Sequence, residues 1–335
     1  MKRKALSLIV MSLFILFLVA CSSNSSGDGD SSDGGTTTLT LAEDQPEDFP
    51  TTIGDKEFAR LVEEKTDGRY EIEVYPDGQL TDEKSSIEQL QLGSLDFARV
   101  NGSPLTEFND NIGALSMPFL FESEEEKWDV WEGEVGQEIL DSFTEDNLIG
   151  LAYYDNGERF FYTAGEPVTT LEDIKGKKIR VQESDLAIDI AESLGASATP
   201  MSYDEVYSAI QTGVIDGAEN NFPSYQASGH YEVAEYASLP GYQDVPEVLL
   251  GSKQVWDDLS EEDQQLFKEA AEESVDAQRE AWDELVDKSR DEIEENGNEI
   301  VEMDDIEEWR EAVQPVYDKY EDQYGEWLDR IQDEQ

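Results

Sequence analysis

Residues 172–184, EDIKGKKIRVQES, gather three lysines and one arginine in a chain that has 23 basic residues against 80 acidic ones. Arg180 stands where the short apolar run KIRV reads as a strand heading into a loop. A guanidinium is a planar fork of donors that matches a carboxylate with two parallel hydrogen bonds. Its chemistry at a strand end is therefore capture of an organic acid. The competing reading is an ordinary ion pair between Arg180 and one of the many acidic neighbours. Lys175, Lys177 and Lys178 read as a solvated turn and carry no chemistry.

Other chemistry is limited by what the chain lacks. It has one histidine, His230, and one cysteine, Cys21. A multi-histidine zinc site is excluded, and a Ser-His-Asp triad would have to use His230 itself. His230 lies in SGHYEVAEY, which reads as a helix with a structural histidine. No G-x-S-x-G is present, and no carboxylate pair stands out from the acidic background as an acid/base couple. The tryptophans at 128, 131, 256, 282, 309 and 327 mostly punctuate helical stripes and read as packing.

The N-terminus reads as processed. Lys2, Arg3 and Lys4 precede the apolar run ALSLIVMSLFILFLVA, and LVAC has the form of a lipobox ending at Cys21. Residues 1–20 are expected to be a signal peptide. Cys21 is expected to be lipidated, and the Ser/Gly/Asp-rich stretch 21–38 to be a flexible tether. This places a soluble domain at the outer face of a membrane. With Cys21 lipidated, no thiol remains for a disulfide or a cysteine-ligated metal.

Loss of the three basic residues at the start leaves 20 against 80 acids, a net charge of −60. Nucleic acids and anionic membranes are excluded as partners, because both are polyanions. Hydrophobic residues make up 38% and aromatic residues 10% of the chain, in periodic patterns, so a core is available. The acidity reads as adaptation to high salt or alkaline surroundings, where repulsion is screened. The melting temperature is accordingly expected to climb as NaCl is raised from low to molar concentration. A flat curve in a thermal scan would remove this reading.

The elements are those of an α/β protein of two domains. TLTLAED and YEIEVYP read as strands on either side of the amphipathic helix TIGDKEFARLVEEKT. IEQLQLGSLDFARVN (87–101) and VYSAIQTGVIDGAENN (206–221) share a pattern of helix, Gln-x-Gly, apolar pair and Asp. Gly93 and Gly213 fall where a helix stops in a left-handed residue. The likeness is either coincidence between two αβ units or a repeat whose strands end in Asn101 and in Asn220-Asn221. Ser202 and Glu205 have capping-box spacing. In LSEEDQQLFKEAAEESVDAQREAWDELVDKSRDEIEENG, Ser260 is placed to cap and Gly297 to end one helix. At 1.5 Å per residue its roughly 36 residues span about 54 Å, enough to bridge two lobes.

Several ordered stretches carry a family resemblance: FARLVEEKTDGRYEIEVYPDGQL, IEQLQLGSLDFARV, MPFLF, DNGERFFYT, TLEDIKGKKIRVQES, LGASATPMSYDEVYSAIQTGVIDGAENNFPSY and HYEVAEY. Together they cover nearly all of 39–290, and the chain resembles the DctP-like substrate-binding lipoproteins of tripartite ATP-independent periplasmic (TRAP) transporters. The resemblance implies a two-lobed periplasmic-binding-protein-like fold, a ligand cleft between the lobes and a long helix bridging both. Lobe I is assigned 39–156 plus 247–285, and lobe II 157–246 plus 286–335.

It also implies that Arg180, after KGKKI, grips a substrate carboxylate. Arg159 of NGER assists it, Asn220 after DGAE completes the grip, and Tyr203 lines the pocket. Glu83 and Asn101 line the other lobe's side, with Asp44 and Gln45 in a loop that approaches the ligand. The family's QLGG reads QLTD here (79–82). An ionised Glu83 in the cleft would repel a second substrate carboxylate and accept from hydroxyls, which favours a uronate over a C4-dicarboxylate.

The implied function is solute capture and delivery to the membrane subunits of a sodium-coupled transporter, with no cofactor, metal or catalysis. A receptor of an ABC importer and an extracellular enzyme acting on acidic sugars are the alternatives.

Overall fold

The computed structural model describes residues 35–335. The signal segment, Cys21 and most of the tether lie outside them. Short strands, alternating in pattern at Tyr70–Tyr75 and buried on both faces at Phe97–Asn101 and Glu247–Ser252, assemble into two sheets. The first has the order β2-β1-β3-β10-β4, from Thr37–Ala42 (β1), Tyr70–Tyr75 (β2), Phe97–Asn101 (β3), Leu148–Tyr154 (β4) and Glu247–Ser252 (β10). The second has the order β11-β9-β5-β8-β6-β7, from Glu158–Thr163 (β5), Lys178–Val181 (β6), Ser197–Pro200 (β7), Gly217–Asn220 (β8), Tyr236–Asp244 (β9) and Glu299–Glu302 (β11). β1 is parallel to β2 and β3, and β6 to β7 and β8. β10 runs antiparallel to both of its neighbours.

The chain passes between the sheets at Asp155–Gly157, from β4 to β5, and at Val245–Pro246, from β9 to β10. Gly157 has φ +54°, and a Cβ there would lie 2.8 Å from the Trp282 ring, so conformation and close approach both require glycine. Buried Lys127 ties the two passages together. Its ammonium donates to Asp155 at 2.9 Å and lies 3.5 Å from Asp244, whose carboxyl burial pushes up to about 6. Gln278 holds Asp155 from the other side, accepting from its N–H and donating to its carbonyl.

The long helix runs Glu261–Asn296. The Asp263 N–H donates to the Ser260 hydroxyl, and Gly297 closes the helix at φ +95°. Phe267, Ala270 and Ala271 pack on Phe58, Leu61 and Val62 of the helix Pro50–Lys65 beneath the first sheet. Farther along, the same helix contacts Phe222–Ala227 against the second sheet. It bridges both lobes. The C-terminal helix Gln314–Glu334 also touches both: Tyr317 donates to the Pro118 carbonyl, Trp327 to Asn111, and Tyr320 to Asp189. The largest apolar cluster accordingly runs from Val100 and Leu250 through Phe161 and Ile179 to Trp309 and Tyr324.

The two look-alike segments fold alike. Gly93 and Gly213 both have φ +70°. Asp96 accepts from the Thr40 N–H of β1, and Asp216 from the Lys178 N–H of β6. Asn101 and Asn221 each cap the helical turn that follows, accepting from Ser103 and Ser224. Asn101 therefore corresponds to Asn221, and Asn220 is left free for other work.

Two local expectations fail. The Ser202 hydroxyl turns to the Asp204 and Glu205 carboxylates and leaves the backbone uncapped, so a 3-10 turn precedes the helix Val206–Gln211. HYE is a single 3-10 turn at His230–Glu232, followed by β9, because the segment enters the sheet beside β11. Among the described residues, no helix is long and apolar enough to cross a membrane.

Candidate ligand-binding site

The strands of both sheets deliver side chains to the space between them, β1, β3, β6 and β8 toward their carboxyl ends, where α/β sheets collect ligands, and the antiparallel β5 and β10 at their amino ends. A narrow cavity of about 20 Å³ lies there. Arg180, Arg159, Asn220, Tyr203, Glu83, Asn101, Asp44 and Gln45 all line it. The cavity opens past Asp44, Glu83, Arg180, Gln182 and Tyr203 into a wider vestibule of about 190 Å³.

Three arginines are buried among the described residues: Arg99, Arg159 and Arg180. They differ in what they hold. Arg180, 4% exposed, makes one hydrogen bond, from Nε to the Met201 carbonyl at 3.0 Å. No carboxylate lies within ion-pair distance of it among the described residues, so its two terminal nitrogens face the cavity. Arg159 is already engaged. It donates through two nitrogens to the Glu219 carboxylate and through Nη1 to Asn220 at 3.0 Å. Arg159 thus orients Asn220 and keeps part of one nitrogen for the cavity.

Behind Arg180, the Tyr203 hydroxyl donates to the Ser224 carbonyl, and its ring meets His230 edge-on. His230 is 1% exposed and hydrogen-bonded to Tyr162 at 2.7 Å. Burial, with Arg180 adding, drives its imidazole down to about 3. It is a neutral packing residue at neutral pH.

The opposite wall is built on Arg99, which the sequence reading missed. Arg99 shares a face of β3 with Asn101, and all of its N–H groups are committed. Nε and Nη2 bond the two oxygens of Glu43, Nη2 also reaches Asp44, and Nη1 donates to Glu83 at 3.1 Å and Glu247 at 2.6 Å. Asn101 adds its N–H to Glu83 and its amide to Glu247. Glu83 is therefore one member of a tied cluster, not a lone acceptor.

Burial drives Asp44 well above the usual carboxylate range against the pull of Arg99, with Glu83, Glu43 and Glu247 pushing it further. Burial raises Glu83 as well, while at Glu43 the charge and hydrogen bonds of Arg99 outweigh burial and lower it. Asn156, Gln182 and Ser224 complete the lining the sequence did not single out. The period of two in FARVN, with Arg99 on the face of Asn101, was the available signal. Glu247 had none beyond opening the run EVLLGS. Among the described residues, no group of three His, Cys, Asp or Glu is placed to hold a metal ion.

Two α/β lobes joined by short crossings, with a free buried guanidinium in the cavity between them, define a solute-binding protein. Comparison with known proteins agrees. The family model of the bacterial extracellular solute-binding protein, family 7, matches residues 41–323. A TRAP periplasmic solute-binding protein from Bradyrhizobium sp. BTAi1, solved in complex with D-galacturonate, is 42% identical with a TM-score of 0.87, over 89% of this chain and all of that one. One from Chromohalobacter salexigens with bound D-glucuronate is 40% identical with a TM-score of 0.86 and the same coverage. The C4-dicarboxylate-binding protein DctB of Bacillus subtilis is 29% identical over 85% of this chain and 82% of its own length. The chain belongs to family 7 of the bacterial extracellular solute-binding proteins. It is the solute receptor of a TRAP transporter and not an enzyme.

Proposed function

We propose that the receptor takes a hydroxylated monocarboxylate, a uronate such as galacturonate or glucuronate, with its carboxylate on Arg180 and its hydroxyls toward the Arg99 wall. The observation that carries this reading is the asymmetry of the cavity: an unpaired guanidinium at one end and a surplus of carboxylates at the other. A C4-dicarboxylate would bring its second charge against Glu83 and Glu247, with Arg99 already fully committed. Hydroxyls would instead donate to those oxygens, and charge-assisted bonds of this kind contribute about 1.5–3 kcal/mol each. Uronates bound by similar receptors support the same choice.

In this reading Arg159 and Asn220 complete the grip, and Tyr203 supplies the flat wall. Asp44, Gln45, Glu83 and Asn101 face the hydroxylated end. Lobes at 39–156 plus 247–285 and 157–246 plus 286–335 close about the passages that Lys127 ties together. The ligand is then handed to the membrane subunits of the transporter. Cleavage after residue 20 and lipidation of Cys21 would hold the receptor at the outer face of the membrane through the 21–38 tether. Labelling with a radioactive fatty acid, lost in Cys21→Ala, tests the anchor.

Calorimetric dissociation constants for galacturonate, glucuronate, succinate and malate test the ligand class. At least one uronate is expected to bind tenfold or more tighter than either diacid, a gap of about 1.4 kcal/mol. Glu83→Gln should narrow that gap only in part, because the Glu43 and Glu247 carboxyls remain on Arg99. Tight succinate or malate binding, unchanged in Glu83→Gln, would return the dicarboxylate reading to first place.

A further inference from the structure

The wall built on Arg99 has more negative charge than its one cation can balance. Glu43, Asp44, Glu83 and Glu247 all bond the same guanidinium, whose N–H donors are all in use. Behind them Asp55 is fully buried, and neither of its oxygens has a hydrogen-bond partner. A buried surplus of this kind is relieved by taking up a proton, since unpaired buried charge is far more costly than a neutral acid.

The members are not equally served. Glu43 receives Arg99 at both oxygens and the Gln45 N–H besides. Glu247 receives Arg99 and the Asn101 amide, and Glu83 receives Arg99 and the Asn101 N–H. Asp44 receives Arg99 alone, and it lines both the cavity and the vestibule. Among the carboxyls on Arg99 it has the fewest donors to lose on protonation, and it shares with Glu83 the access to a ligand. We propose that Asp44 meets the ligand as a neutral carboxylic acid, donating a hydrogen bond, and that affinity falls as rising pH removes this proton. The proposal rests on the organic-acid reading above, and it adds a donor to a wall that otherwise only accepts.

The surroundings set the sign. From the second lobe, Arg180 and the Tyr203 ring face the same space. The vestibule adds Asp77, Asp82, Glu183 and Asp204 against Lys84. Before binding, Arg180 is the one uncompensated cation lining the cavity among the described residues. A ligand carboxylate neutralises it and excludes water, so the potential at Asp44 becomes more negative and its proton is held more tightly. Binding therefore takes up a proton where Asp44 is partly ionised. Burial driving Asp44 well above the ordinary carboxylate range places that region at higher pH than the titration of an exposed carboxylate.

Two measurements on the mature protein test this. Titration with galacturonate and glucuronate in buffers of different ionisation enthalpy should show proton uptake. The dissociation constant should rise by up to about tenfold per pH unit as pH climbs above the ordinary carboxylate range. Asp44→Asn keeps a donor without a charge and should flatten that slope, whereas Asp55→Asn should leave it in place. In ligand-free protein, the infrared band of protonated carboxylic acids should persist above the ordinary carboxylate range and lose intensity in Asp44→Asn, the remainder belonging to buried Asp55.

A dissociation constant independent of pH, or a slope unchanged in Asp44→Asn, overturns the proposal. So does an affinity that responds to replacing Na⁺ by tetramethylammonium at constant ionic strength and not to pH, which would assign the neutralisation to a metal cation. Failure of any uronate to bind while the Asp44 band is present would sink the ligand assignment and leave the neutral Asp44 standing.

Discussion

Arg180→Ala is expected to abolish detectable binding of the organic acid while leaving the fold at least as stable. Removing one partner of a desolvated, hydrogen-bonded charge pair costs about 2–5 kcal/mol, which is roughly thirty-fold to several thousand-fold in affinity. Stability should not suffer, because Arg180 has no carboxylate partner among the described residues and gives up a single bond to the Met201 carbonyl. Its removal takes an unpaired cation out of a buried place. Arg180→Lys should also fail, since one ammonium cannot reproduce two parallel bonds from a planar fork. Calorimetry and a thermal scan on the same samples check both halves. Binding of Arg180→Lys within a few-fold of wild type would show that the carboxylate is not held by the fork.

Arg99→Met is expected to do the reverse and damage the fold itself. The substitution leaves Glu43, Asp44, Glu83 and Glu247 facing one another without a cation. Breaking a buried pair from one side costs about 3–5 kcal/mol, and here several carboxylates lose the same partner. Against a total stability of about 5–15 kcal/mol, the variant should unfold or melt far earlier at neutral pH. The pH dependence has a definite sign. Carboxyls whose pKa is raised in the folded state bind protons more readily there than in the unfolded chain. The variant should therefore gain stability as pH falls through those raised values and lose it as pH rises above them. Urea denaturation followed by circular dichroism, at mildly acidic and mildly alkaline pH, checks this. A midpoint within a few tenths molar of wild type at alkaline pH would show that the cluster is not held by Arg99.

These opposite outcomes for two buried arginines separate a binding group from a structural one, and the sequence alone does not make that distinction. Arg180 and Arg159 look alike as single basic residues within short motifs. Their roles diverge because Glu219, on the strand paired with β5, reaches Arg159, and no acid reaches Arg180. Arg99 corresponds to Glu219 in the internal repeat, so the two lobes place opposite charges at the same strand position. Each is neutralised by partners from other strands and loops. None of those partners is near in sequence: Glu43, Glu83 and Glu247 lie 56, 16 and 148 residues from Arg99.

The sequence by itself determined whatever depends on local spacing. The Ser260 cap and the Gly297 stop delimit the long helix, because both act within one turn of its ends. The Gln-x-Gly-apolar-apolar-Asp pattern defines two matching αβ units, because a left-handed glycine and a period of two are local properties. Ordered motifs brought eight residues to one cavity. The tertiary structure alone decided which charges neutralise one another. With 80 acidic residues in the chain, composition cannot mark the few that meet at Arg99, and hydrogen bonding between distant strands leaves no periodic trace. It also decided that Ser202 turns to side-chain acceptors in place of a backbone N–H, and that HYE stops after one turn. In both places the local preference is worth about 1 kcal/mol, and the neighbouring carboxylates or the pairing of β9 outweigh it.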